Sequence, residues 1–329
     1  MNVIPSWMPD SLHIVWMKVQ PNKEKKDPVS NAKIYIANTE TGQYRRLFSN
    51  KEQIKFSNGM PSVSPKGDHI AFVSNRSGTM RIWISDLDGN DAKLISKPES
   101  EYHEKIKAPI KQKVPTWSPD GKWLVISELG GIEPFGKNES SFIKLMRLDD
   151  QQIIEPNLSF GQNDWGDNTC TRDPLDEFNT HGIDILERED GLYQIGVINH
   201  KPQETIEMFE LFESNNAWEL KWRGCISADQ SIYLNDITFL KNANFYATYM
   251  FDKGITWNEW LVDSLLKKTT GHVKFWDGDK FNIVPGSHGS QPNGIVLDEE
   301  SNLIYIAYNS GCLLYTSDAA DEEDSVDLG

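Results

Sequence analysis

The chain has 329 residues, is 38% hydrophobic and carries 11 tryptophans, which is enough apolar side chain for a large core. Its formal charge of −16 speaks against a nucleic-acid or anionic-membrane partner. No apolar run approaches the ~18 residues of a spanning helix, so no membrane segment is predicted.

The opening M-N-V-I-P-S-W-M-P-D lacks the basic and apolar regions of a secretory signal. P-S-W-M-P-D-S-L-H-I-V-W from Pro5, P-S-V-S-P-K-G-D-H-I-A-F from Pro61 and P-T-W-S-P-D-G-K-W-L-V-I from Pro115 are copies of one unit, 56 and 54 residues apart. Each predicts a short strand, a turn holding Asp10, Lys66 or Asp120, and an alternating strand. The first two units continue into I-Y-I-A-N at Ile34 and I-W-I-S-D at Ile82. Four short strands at this period read as a propeller blade, with Trp7, Trp16, Trp83, Trp117 and Trp123 as core between blades.

The stretch T-H-G-I-D-I-L-E-R-E-D-G-L-Y-Q-I-G-V-I-N-H runs from Thr180 to His200. Asp190-Gly191 is a two-residue hairpin signal. That turn would set His181 directly opposite His200 on one face, with Cβ atoms roughly 5 Å apart. T-H-G-I-D-I-L, L-N-D-I-T-F-L from Leu234 and P-N-G-I-V-L-D from Pro292 share one pattern, and His181, Asn235 and Asn293 are spaced by 54 and 58 residues. First strands of blades line the central channel, so His181, Asn235, Asp236 and Asn293 should converge at one end of it, with His200 beside His181. Converging amide and carboxylate oxygens suit a hard cation, Ca²⁺ first, which can polarise an ester or lactone carbonyl. A neighbouring histidine can take a proton from water. The same Asn and Asp residues also suit hydrogen bonds to tight-turn backbone, and spacing alone does not choose. The best helical stretch is Trp257 to Lys268. Cys170, Cys225 and Cys312 predict no disulfide framework and no close metal-ligand spacing, and they leave the compartment open.

From about Phe142 to Gly311 the chain resembles the paraoxonase/arylesterase family of six-bladed propellers. The resemblance lies in T-H-G-I-D-I, V-I-N-H-K-P-Q-E-T-I-E-M-F-E-L, L-N-D-I, F-Y-A-T and P-N-G-I, in that order. It implies a calcium-dependent esterase and lactonase with two calcium sites. By its motifs His181 and His200 match the histidine dyad. Asn235 and Asn293 match ligands of the catalytic calcium; Asp236 and the carbonyl of Ile183 match ligands of a structural calcium. Three departures stand out. Lys113-Val114 occupies the place of a Glu-Asp calcium pair. Tyr249-Met250 follows Thr248 where Asn-Asp is usual. A later Asp-Asn pair would fall beyond Gly311. Glu128 and Glu133 are candidate replacements for the missing carboxylate. The first ~150 residues resemble TolB-like, WD40-like PD40 propeller repeats, on S-V-S-P-K-G-D-H-I-A-F-V-S-N-R-S-G and T-W-S-P-D-G-K-W-L-V-I-S. Residues 312–322 resemble a translated sequencing adapter, followed by an acidic tail, so the natural protein is expected to continue differently beyond Gly311.

The sequence therefore predicts an all-β propeller of six blade-like repeats, the last incomplete. Residues 1–150 are TolB-like blades, 151–311 arylesterase-like blades and 312–329 an artefactual tail; one ring or two propellers both remain open. The function expected is calcium-dependent hydrolysis of a small aryl ester or lactone, with the chain poorly active for want of ligands. The alternatives are a non-enzymatic TolB-like interaction platform and a gluconolactonase-like sugar lactonase.

Overall fold

The computed structural model describes residues 2–19, 32–49, 55–78, 80–95, 112–150, 153–214, 217–298, 300–301, 303–309, 311–316 and 325–327. The three Pro-Ser/Thr units fold as three antiparallel sheets. The first holds β1 (Asn2–Trp7), β2 (His13–Val19), β3 (Ala32–Asn38) and β4 (Tyr44–Arg46). The second holds β5 (Asn58–Val63), β6 (His69–Ser74), β7 (Arg81–Asp86) and β8 (Lys93–Leu94). The third holds β9 (Gln112–Trp117), β10 (Trp123–Leu129), β11 (Ile143–Arg147) and β12 (Ile153–Ile154). The fourth sheet takes β13 (Asn157–Phe160), β14 (Thr180–Glu187), β15 (Tyr193–Asn199), β16 (Thr205–Ser214) and β17 (Ala217–Ser227), with β13 added parallel to β17 at the outer edge. The fifth takes β18 (Ile232–Phe239), β19 (Phe245–Asp252), β20 (His272–Trp276) and β21 (Phe281–Ile283), with α1 (Trp257–Leu265) inserted between β19 and β20. The last holds β22 (Pro292–Asp298), β23 (Leu303–Tyr308), β24 (Gly311–Thr316) and β25 (Ser325–Asp327).

This is a β-propeller. The expectation of six repeats is corrected to five full blades. The last repeat contributes β22 and β23 to the packed ring, while the side chains of β24 and β25 lie outside the described residues. First strands sit side by side around a channel, and each sheet packs on the next. The core is divided among these interfaces. Val15, Ile34, Ile70 and Phe72 fill the first, and Val73, Ile82, Leu124 and Ile126 the second. Trp7, Ile14, Tyr305 and Ala307 join the first sheet to the last, with the Trp7 indole donating to the Val296 carbonyl at 3.3 Å. The two halves of the chain thus share one ring.

The turns expected at Asp10, Lys66 and Asp120 form. Asp120 accepts from the Lys122 amide at 3.0 Å and the Ser118 hydroxyl at 2.6 Å; Asp10 accepts from the amides of Leu12 and His13. Lys66 is an exposed turn residue. The helix starts where expected, on a capping box of Thr256 and Glu259. It ends at Leu265, three residues early, because Lys267 takes a φ of 52°.

One expectation fails outright. Cys170 and Cys225 form a disulfide with a Cα–Cα distance of 5.6 Å. It staples the loop before β14 to β17, where Cys225 is fully buried. With a sequence separation of 55 and an odd cysteine count, pairing is decided by tertiary approach and not by spacing.

Candidate functional site

The inner strands carry one repeated irregularity. In β1, β5, β14, β18 and β22 the pairing register slips at the same place, between Val3 and Ser6, Gly59 and Ser62, Thr180 and Ile183, Leu234 and Ile237, and Pro292 and Ile295. Such a bulge puts two residues against one and re-aims a side chain. The re-aimed positions are His181, Asn235 and Asn293 in the last three blades and Met60 in the second. β9 pairs with β10 without a slip, and Val114 stands at the matching level. The predicted convergence of His181, Asn235 and Asn293 at one mouth of the channel follows from this shared bulge.

The histidine pair forms, but by a different route from the one the turn suggested. The loop holds three residues, with Arg188 and Leu192 bonded across it and Gly191 at a φ of 79°. Pairs in the hairpin, such as Glu187 with Tyr193, are one residue off the predicted register. The bulge adds a further slip, so Thr180 faces Asn199 and the His200 amide donates to the Asn179 carbonyl at 3.0 Å. The bulge then swings His181 back, and its Nδ1 lies 3.1 Å from His200 Nε2. Both rings are buried, at 9% and 2% exposure. Burial first, and the neighbouring His200 second, hold His181 well below the ordinary imidazole range.

Sequence reasoning missed two residues beyond this pair. His200 Nδ1 is hydrogen-bonded to Glu204 Oε1, and Glu204 Oε2 lies 2.8 Å from the ammonium of Lys253. Glu204 is fully buried. The only signal for it was its place four residues after His200 in N-H-K-P-Q-E-T; Lys253 arrives from the next blade and leaves no local trace. Around the pair, Tyr233 meets His200 edge to face, and Phe251, Phe135 and Trp260 extend the aromatic wall towards α1. Asn179 ties the 130–140 loop to this wall by accepting from the Gly130 amide at 2.8 Å and donating to Asn138 at 2.6 Å.

Oxygen donors for a cation fall into two groups. At the level of the histidines, Asn235 Nδ2 lies 3.4 Å and Asn293 Nδ2 3.9 Å from the thioether of Met250. A soft sulfur between two amides, with Met60 and Val114 at the matching positions, is a poor set for a hard cation that needs carboxylates. Glu128 does not repair it, since it is engaged by Lys144 at 3.3 Å, and Glu133 is exposed. The residues present therefore do not fit a calcium at that level.

The second group does fit. Asp236 accepts from the amides of Ile237 at 3.0 Å and Ile295 at 3.1 Å; Asp184, which sequence reasoning did not single out, accepts from Ile185 at 2.9 Å and Phe239 at 2.8 Å. Both residues are partly buried, and desolvation of their carboxyls pushes Asp184 up to about 6 and Asp236 up to about 7. A Cβ at Gly182 would come within 2.4 Å of both the Asn235 carbonyl and Asp236 Oδ1, so only glycine leaves this cradle open. Two carboxyls close to the Asn235 carbonyl at Gly182, with the Ile183 carbonyl on the same strand as Asp184, are the oxygen-donor types that a hard cation takes. No group of three or more His, Cys, Asp or Glu arranged for a metal occurs among the described residues, so carbonyls would have to complete it.

The raised acids carry a pH prediction. Each binds its proton more tightly folded than unfolded, so its stabilising contribution is full below about pH 4 and is lost as pH rises through about 6 and 7. Without divalent cation, the urea midpoint is expected to fall between about pH 5 and pH 8, and millimolar calcium or Asp236→Asn to flatten that fall. An unchanged fall in Asp236→Asn would assign it to other groups.

A cavity of about 340 Å³ opens at the other mouth of the channel, lined by Ser6, Ser62, Thr116, Trp117, Asp184 and Asp298. It contains neither histidine. Among the described residues no helix is long and apolar enough to cross a membrane.

Fold and site together define a β-propeller with a buried histidine dyad at one channel mouth. A family model described as arylesterase matches residues 119–323, and the chain belongs to the arylesterase family. The match runs through the stretch that resembles an adapter. A gluconolactonase from Xanthomonas campestris has a similar structure, with a TM-score of 0.57 at 11% identity, over 95% of this chain and 84% of that one. TolB from Acinetobacter baumannii aligns over 88% of this chain and 55% of its own, with a TM-score of 0.49 at 14% identity. An uncharacterized peptidase, YuxL of Bacillus subtilis, is 27% identical over 144 residues, 42% of this chain. The chain spans 19% of the length of that curated relative.

Proposed function

We propose that the chain hydrolyses small aryl esters or lactones, with His181 as the general base that draws a proton from the attacking water. The observation that supports this most is the buried contact of 3.1 Å between His181 Nδ1 and His200 Nε2 at a mouth also lined by Asn235 and Asn293. Burial keeps His181 neutral at working pH, the state a base requires. His200 accepts the Nδ1 proton of His181 as His181 takes one up from water, and returns it to His181 when His181 protonates the leaving group. The amide N–H groups of Asn235 and Asn293 have only a weak thioether acceptor, so they are free to turn to the oxyanion that forms on attack. Tyr233, Phe251 and Phe135 offer an apolar face to an aryl or acyl group.

Calcium would be held by Asp236, Asp184 and the Ile183 carbonyl, where it would supply the positive charge that two desolvated carboxylates lack. In this reading calcium dependence is a dependence of the fold around the bulges.

The test is turnover of phenyl acetate, a γ-lactone and an aldonolactone, each with calcium and with chelator. Turnover of the ester or the γ-lactone that fades in chelator together with the melting temperature supports the reading. Preference for the aldonolactone moves the substrate class towards the sugar lactones of the gluconolactonase neighbour. No turnover from folded protein sinks the hydrolytic reading and leaves a binding platform.

A further inference from the structure

With both rings neutral, the chain of contacts that starts at the Lys253–Glu204 ion pair admits one arrangement of protons. Glu204 is fully buried, and its Oε2 lies 2.8 Å from the Lys253 ammonium. A buried carboxylate with a paired cation is charged, and a charged carboxylate only accepts. His200 Nδ1, bonded to Glu204 Oε1, must therefore carry a hydrogen. A neutral imidazole has one N–H, so His200 Nε2 is left as an acceptor. Its partner at 3.1 Å, His181 Nδ1, must then be the donor. The remaining nitrogen of the chain, His181 Nε2, is left with a lone pair.

We propose that Glu204, salt-bridged by Lys253, is the positioning residue that fixes the tautomers of both histidines and so leaves His181 Nε2 as the base of the hydrolysis proposed above. The role rests on that hydrolytic reading for its purpose, but not for its existence. When His181 Nε2 takes a proton from water, the Nδ1 proton can pass to His200 Nε2, and the imidazolium so formed faces the Glu204 carboxylate. No proton needs to leave Glu204 or Lys253, and the chain resets when the leaving group is protonated. The Glu204 backbone is pinned in place by one side chain. Its amide donates to Gln230 Oε1 and its carbonyl accepts from Gln230 Nε2, both at 2.8 Å. Lys253 also lies over the Tyr233 ring, 5.2 Å from its centroid, and Tyr233 packs edge-on against His200.

An amide at position 204 would reverse the order. Its NH₂ group would donate to His200 Nδ1, the hydrogen would move to Nε2, His181 Nδ1 would accept it, and the base nitrogen would be blocked.

The experiment is ¹⁵N NMR of the full chain with labelled histidines, with the His200 signals assigned by their loss in His200→Gln. It is combined with phenyl acetate kinetics of Glu204→Gln, Glu204→Asp and Lys253→Met. The expected spectrum has both dyad rings protonated on Nδ1. Glu204→Gln is expected to invert them and to lower kcat at least about 100-fold with KM changed less than about 3-fold. Glu204→Asp should restore part of the loss. Lys253→Met, at a partly exposed position, should lower kcat by about 10-fold and remains informative if Glu204→Gln does not fold. A wild-type His200 protonated on Nε2, or a Glu204→Gln enzyme with unchanged tautomers and turnover, overturns the proposal. The tautomers are read on resting protein. Absence of turnover on every substrate therefore counts against hydrolysis alone, and the spectrum still decides what Glu204 does.

Discussion

His181→Gln is expected to lower kcat for ester or lactone hydrolysis by about 10²- to 10⁴-fold, the range that a positioned general base contributes. KM should move little, since the ring acts on water and makes no long contact with the substrate. The substitution suits the site. Glutamine can keep a donor near the Nδ1 position, where His200 Nε2 waits 3.1 Å away, but it has no basic nitrogen. His181 sits on a bulge of an inner strand and is 9% exposed, so the change should cost stability less than deletion of a core side chain would. Steady-state kinetics on phenyl acetate beside a thermal melt separate the two effects. A variant that melts like the parent and still turns over like it would place the base elsewhere in the molecule, and the dyad would become a structural pair.

How much of this site could be read from residues alone differs from feature to feature. The convergence of His181, Asn235 and Asn293 was legible, because a repeat of about 55 residues puts equivalent positions on equivalent strands. The reason they point into one mouth was not. It lies in a register slip shared by five inner strands, and a bulge has no sequence signature stronger than a proline or glycine beside it, as in Pro61 or Gly182. The Asp190-Gly191 turn predicted a facing pair on a register that the structure does not have. The two slips add to a two-residue step, which returns the rings to one face, so the outcome was right and the premise wrong. Asp184 and Glu204 were hidden for a common reason: an acid turned into the fold looks like any surface acid until the partner that holds it is known. Their partners are the amide of Phe239 in the next blade and Lys253 on the next sheet. The Cys170–Cys225 pairing was hidden in the same way. The likeness of the first ~150 residues to TolB-like repeats was right about turns and tryptophans. Trp117 shows it, packed between sheets with its indole donating to the Ser62 carbonyl at 2.9 Å.

Glu207→Ala is expected to destabilise the protein by about 3–5 kcal/mol, the cost of leaving one member of a buried ion pair without its partner. Glu207 is the acid of T-I-E-M-F and is fully buried on β16. Its Oε1 accepts from Arg172 at 2.7 Å and from the Thr205 hydroxyl at 2.6 Å; its Oε2 accepts from the Trp222 indole at 2.7 Å. The Arg172 side chain is 2% exposed and stacks 3.5 Å from the centroid of Phe178. Removing the carboxylate would strand this guanidinium and an indole N–H in the interior, which costs more than the bonds themselves contribute. The effect should reach the dyad. Asn199 donates to Thr205 Oγ1 at 3.0 Å and, through Oδ1, accepts from the Asn179 amide at 3.0 Å, one residue before β14. Loss of Glu207 should therefore loosen the strand start that carries His181 as well as the sheet behind it. Urea denaturation of Glu207→Ala, Arg172→Met and the double variant measures the coupling. If the pair acts as a unit, the double variant recovers part of the loss, because Arg172→Met removes the stranded charge. Additive losses would mean that Arg172 is held by the carbonyls of Glu177 and Lys201, which it also reaches, and that Glu207 serves Trp222, Thr205 and Asn199.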